Sequence, residues 1–308
     1  MSAARDRAQV LLVGAVVVAL AVLALVVVLN STVVTETSGD ASAVGAVDAA
    51  TEFTYEVRRN AKSIAVRTSL GENYTDADAV RADLAAAMGN YSDLLAASVA
   101  AEHGAHASVR LAGVPENGSR VRQLDDRTFV DGGGAGSWDV VDGTTELGWF
   151  VLNLNATLVS ETSPLVATAS NGSATARYAV RRNGSTGSLR VTATVDGATV
   201  TRTCSPSGGR VALDLVSGRS ATGGCTVPGL DGVEGPLTGV GFENGTQAKG
   251  VYELVVENAT ATTVGTCAGG APPCRGPVPW STTLDVTYRD GSLSYEHTLT
   301  SDVYGGRR

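Results

Sequence analysis

Twenty consecutive residues, Val10 to Leu29, carry no charge and no polar side chain, with Gly14 the sole residue outside Ala, Val and Leu. At about 1.5 Å rise per residue such a helix reaches roughly 30 Å, the thickness of a bilayer's hydrocarbon core. A helix apolar on every side is suited to lipid. Arg5 and Arg7 precede the run, whereas Asn30 to Thr37 hold Glu36 and no Lys or Arg. The positive-inside rule then predicts a single-pass cell-membrane protein, with residues 1–9 cytoplasmic and the bulk of the chain extracellular. A cleaved secretory signal is the competing reading. Its apolar core runs only about 7–15 residues before a small-residue cleavage site, so an uncleaved anchor is favoured.

Downstream the pattern changes twice. From 30 to 40 a Thr/Ser/Gly segment reads as a stalk. Ala50, Phe53, Val57, Ala61 and Ile64 then recur at three and four residues, predicting a helix from Ala41 to Arg67. Gly71 is expected to break it and Thr75 to cap a second helix, whose stripe is Val80, Leu84, Ala87, Tyr91 and Leu95, with a kink at Gly89. These two make a helical hairpin over 41–106. From 107 to 308, Thr and Val rise and turn pairs such as Asn183-Gly184, Asp196-Gly197 and Asp290-Gly291 separate alternating runs. The expected fold class is α+β: an N-terminal transmembrane helix, a helical hairpin, then an antiparallel β-rich sandwich or meander in an extracellular domain.

Composition bears on partners. Acidic residues outnumber basic ones 31 to 23, and only Lys62 and Lys249 are lysine. No basic stripe is present, which argues against nucleic acid. Nine of the 11 asparagines head an Asn-x-Ser/Thr triplet. Given the Ser and Thr content, chance would supply only about two, so the excess points to an exported, N-glycosylated surface. The candidate acceptors are Asn73, Asn90, Asn117, Asn155, Asn171, Asn183, Asn244 and Asn258, Asn30 being set aside as too close to the membrane. The four cysteines, Cys204, Cys225, Cys267 and Cys274, fall in the last third. Of three connectivities the nearest-neighbour pairs, Cys204–Cys225 and Cys267–Cys274, are favoured; zinc is disfavoured without a Cys-x-x-Cys or a nearby His.

The sequence offers no catalytic, cofactor-binding or metal-ligating set. His103 and His106 are spaced for one helix face, but Gly104 between them ends the helix and no third ligand follows. Asp125 and Asp126 are adjacent and point apart in an extended chain. Trp138, Trp149, Phe150 and Trp280 read as core anchors. No cofactor and no small-molecule ligand is identifiable.

Arg7-Ala8-Gln9, set immediately before the apolar run, resembles the signal of type IV pilin-like proteins, especially archaeal ones. The acidic, lysine-poor composition is similar to that of haloarchaeal proteins. The resemblance covers about the first thirty residues. It implies cleavage between Ala8 and Gln9 by a prepilin peptidase and partnership with other pilin-like subunits, alongside membrane lipid. The family's bacterial members place Glu at the fifth mature position, where this chain has Val13. Two functions follow as expectations. The first is a pilin-like structural or interaction subunit with a glycosylated extracellular β domain. The second is a monomeric anchored ectodomain that binds a solute or supports an envelope enzyme. No enzymatic activity is expected of the chain itself.

Overall fold

The structure is a computed structural model that describes residues 41–304 apart from 185–186, 223, 231–232, 234, 258–261, 268–272 and 292. The chain divides into two units, Met1–Thr51 and Glu52–Arg308. The described part of the first is the opening of a helix, and the second holds the rest of that helix with all the remaining elements.

Two helices lead. Helix α1 spans Ala41–Gly71 and α2 spans Ala77–His103. On α1, Val57, Ala61 and Ala65 are fully buried, while Glu52, Arg58, Arg59 and Lys62 lie outside that stripe. Val80, Leu84, Met88 and Val99 form the buried side of α2. The N-cap of α2 is Asp76 in extended geometry, not Thr75, and the helix runs through Gly89 without a break. Gly104, at φ 62°, ends it with its N–H donated to Ala100 O.

Among the described residues fifteen strands follow in three antiparallel sheets. The first sheet joins β1 (His106–Gly113), β14 (Ser281–Arg289) and β15 (Ser294–Asp302), in that order. The second is a six-stranded sheet. Its members in chain order are β2 (Asn117–Thr128), β4 (Leu147–Asn155), β9 (Arg210–Asp214), β10 (Arg219–Ser220), β12 (Lys249–Val256) and β13 (Cys274–Pro279), arranged β10-β9-β4-β12-β2-β13. The third comprises β3 (Trp138–Thr145), β5 (Leu165–Ser170), β6 (Thr175–Arg182), β7 (Leu189–Val195), β8 (Ala198–Cys204) and β11 (Leu237–Glu243), arranged β3-β11-β5-β6-β7-β8.

Period-two burial explains the layering. Phe150, Leu152 and Leu154 alternate inward on β4, as do Ala176, Tyr178 and Val180 on β6 and Leu189, Val191 and Ala193 on β7. These faces meet in one apolar cluster, so the second and third sheets form a sandwich. Phe242 lies at its centre, with ring centroids of Tyr252 at 5.0 Å and Phe129 at 5.2 Å. The turn at Asp196-Gly197, with φ of 47° and 77°, closes the β7–β8 hairpin as the primed-turn pattern requires. The opposite face of the second sheet is covered as well. Val255, Val278, Trp280 and half-buried Trp149 pack there with Val57, Leu84 and Met88 of the helices and Leu284 and Val286 of the first sheet.

Two expectations are corrected. The stretch Val10–Leu29, with the leader, the stalk and the Ala8–Gln9 pair, lies outside the described residues. Among the described residues no helix is long and apolar enough to cross a membrane. Both helices are amphipathic, with charged residues on their exposed sides, and neither suits lipid. A fold class with an N-terminal transmembrane helix and a single-pass membrane location are accordingly not what the structure supports. The architecture is mostly antiparallel β, and its two helices cover the outer face of a sandwich.

Candidate functional site

Seven of the candidate glycan acceptors lie among the described residues, and none is buried. Asn73 is exposed in the turn between α1 and α2, and Asn90 is exposed within α2. Asn117 opens β2, and Asn244 sits exposed at φ 55° between β11 and β12. The other three are half-buried with engaged carboxamides. Asn155 Nδ2 donates to Asp126 Oδ2 at 3.0 Å while its Oδ1 accepts from Thr157 Oγ1 at 2.9 Å. Asn171 Oδ1 accepts from Ala174 N at 2.7 Å and from Ser173 Oγ at 3.1 Å. Asn183 Nδ2 donates to Ser188 Oγ at 3.4 Å, and its Oδ1 accepts from Arg190 at 3.1 Å. Asn258 lies outside the described residues.

Both cysteine pairs are disulfides, Cys204–Cys225 and Cys267–Cys274. The first ties β8, an edge strand of the third sheet, to the segment after β10 of the second. The second lies at the start of β13, where Cys267 N also donates to Arg275 O at 3.0 Å.

The acid and imidazole candidates are not brought together. Asp125 faces Arg127 at 2.9 Å, whereas Asp126 faces Arg210 at 3.2 Å. His103 and His106 are exposed on either side of the helix end, and His297 is exposed on β15. Among the described residues no group of three or more His, Cys, Asp or Glu is placed to hold a metal. Phe150 and Trp280 are buried and Trp138 and Trp149 half-buried in the two apolar clusters.

The densest polar constellation carries no motif by which residue order would mark it. Arg120 and Arg122 project from β2 away from the sandwich core and are 6% and 5% exposed. Arg120 Nη1 donates to Ser69 O at 2.9 Å and Glu72 O at 3.3 Å, and Nη2 to Glu253 Oε2 at 2.9 Å. Arg122 reaches Glu72 O at 3.5 Å. The arginines thus meet carbonyls at the C-terminal end of α1, where the helix carries partial negative charge and unpaired acceptors. Burial, and then the like charge of Arg120, pull the Arg122 guanidinium below its ordinary pKa, with Glu253 opposing. The turn after α1 presses so close to β13 that a Cβ on Gly276 would meet Tyr74 O at 2.3 Å, so only glycine fits there. In the sequence Arg-Val-Arg looks like a solvent-facing strand, and only the docked helix makes it interior.

No protein-family model, no curated protein and no solved structure matches the chain.

Proposed function

We propose that this chain is an extracellular structural or interaction protein of the pilin-like kind. Its disulfide-closed, glycan-bearing β sandwich makes contacts with neighbouring subunits or surfaces. The observation that carries the reading is the placement of the acceptor triplets: all seven described acceptor asparagines are exposed or half-buried, on turns, strand ends and a helix surface. A glycan needs an accessible carboxamide, and exposed turns supply it. The two disulfides support the same setting, because such bonds persist in oxidising exteriors.

The test is mass spectrometry of the protein purified from its native host. Glycopeptides are expected at Asn73, Asn117 and Asn244, with less or none at Asn183, whose carboxamide is held on both sides. The mature N-terminus is expected at Gln9, as processing of a pilin-like signal requires. Unmodified asparagines together with free thiols overturn the extracellular reading, and an intact N-terminus overturns the pilin-like one.

A further inference from the structure

We propose that β15 pairs antiparallel with β15 of a second copy of this chain, about a two-fold axis at Thr298, so that the first sheet continues across a dimer. The proposal rests on the reading of the chain as a subunit that contacts its neighbours, and it names the contact and the partner.

A sheet edge is a row of unpaired N–H and C=O groups, which folded chains cover or guard. The three sheets end in β1 and β15, β10 and β13, and β3 and β8. Other segments meet four of these edges. Val109 N of β1 donates to Ser92 Oγ of α2 at 2.9 Å, and Ser220 N of β10 donates to Cys225 O at 3.0 Å. Cys267 N donates to Arg275 O of β13 at 3.0 Å, and Thr263 N to Val140 O of β3 at 3.1 Å. β8 is guarded by a charge: Arg202 lies on the core side, opposite Val191, and its Nη1 donates to Thr201 O at 3.0 Å. Among the described residues nothing bonds to the outer edge of β15.

Register fixes what that edge presents. Asp290 N donates to Leu293 O and Val303 N to Trp280 O, so along the β14–β15 ladder the odd-numbered residues of β15 bond inward. Ser294, Glu296, Thr298, Thr300 and Asp302 therefore turn their backbone groups outward, and all are exposed. Three of their side chains reach back over β14 and leave the edge clear. Glu296 pairs with Arg289, Thr298 Oγ1 donates to Asp285 Oδ1 at 2.8 Å, and Thr300 Oγ1 lies 3.1 Å from Thr283 Oγ1. A two-fold at Thr298 sets Thr298 against its own copy, Glu296 against the second copy's Thr300, and Ser294 against its Asp302. Each of these pairs exchanges both backbone bonds, so no outward group of the strand is left over. No like charges meet, whereas an axis at Glu296 would oppose two carboxylates.

Sedimentation velocity of the full chain over a range of concentrations is expected to show a reversible dimer. Thr298→Pro removes the N–H at the axis. That N–H faces away from β14, so an edge strand tolerates the change and the urea midpoint should stay near the parent's. Dimerisation is expected to weaken by about tenfold or more. Thr298→Cys gives a readout independent of the proline variant's folding. Bonded antiparallel partners have Cα atoms about 5.5 Å apart, within disulfide reach. Two copies of residue 300 would instead be four residues out of step, about 13 Å along the strand. Air oxidation is expected to yield covalent dimers of Thr298→Cys and not of Thr300→Cys. A chain that stays monomeric, a dimer that Thr298→Pro leaves unchanged, or equal cross-linking at the two positions overturns the proposal. None of these results touches glycosylation or the mature N-terminus, which test the extracellular pilin-like reading separately.

Discussion

Replacing Cys204 and Cys225 together by alanine removes the covalent tie between the β8 edge of one sandwich sheet and the β9–β10 end of the other. The two residues are 21 apart in sequence, so releasing the loop returns about 3.3 kcal/mol of chain entropy to the unfolded state. The same relation for Cys267 and Cys274, 7 apart, gives about 2.4 kcal/mol. Both Cys204 and Cys225 are buried, at 0% and 7% exposure, so alanine also leaves unfilled volume among their neighbours and adds to the first figure. At about 2–4 °C per kcal/mol for a domain of this size, the Cys204/Cys225 variant is expected to melt about 7–13 °C below the parent. Urea unfolding of the parent and the two double variants measures the order directly. A Cys204/Cys225 variant that melts within about 2 °C of the parent, or that loses less than the Cys267/Cys274 variant, refutes the reasoning. Partial reduction of the native protein followed by alkylation should label Cys267 and Cys274 first, since Cys267 is half-buried and Cys204 fully enclosed.

Gly89→Ala and Gly245→Ala should move stability in opposite directions in thermal melts. The first adds a Cβ to a helix position with open space around it and gains about 0.5–1 kcal/mol. The second drives a Cβ into the Phe129 carbonyl and costs about 1–3 kcal/mol. Alkaline titration is expected to place Tyr304 among the late-ionising phenols with Tyr74 and Tyr252; its phenol is pushed up from 10 to about 12 by burial, with Ser69 and Arg120 opposing. The folded state holds that proton more tightly, so the contribution is full below pH 10 and is lost as pH rises towards about 12. Phenolate absorbance and unfolding measurements across that window, with Tyr304→Phe as the control that reduces the loss without abolishing it, since Tyr74 and Tyr252 are raised too, check the sign.

Much of the sandwich could be read from residue order. Alternation along Leu284-Val286-Tyr288 and Leu293-Tyr295-His297-Leu299 marks a hairpin that the structure contains, because period two is a local property of a half-buried strand. Helix positions are legible through Val57, Ala61, Val80 and Leu84, though the cap lies at Asp76 and α2 continues unbroken through Gly89. The membrane placement inferred from Val10–Leu29 has no counterpart among the described residues, whose helices are both amphipathic. The polar constellation at Arg120, Arg122 and Glu253 is hidden for a different reason. Arg120 and Glu253 lie 133 positions apart in the chain, and each looks solvated in its own neighbourhood.

Residue order by itself therefore determined which side chains share a face, where the chain turns and which cysteines can close short loops. Those follow from backbone geometry within a few residues. Only the tertiary structure decided what covers each face. The second sheet carries the sandwich core on one side and the helices on the other, and that second covering turns two ordinary strand arginines into buried cations at a helix end. Coverage depends on contacts between distant segments, which no local period encodes.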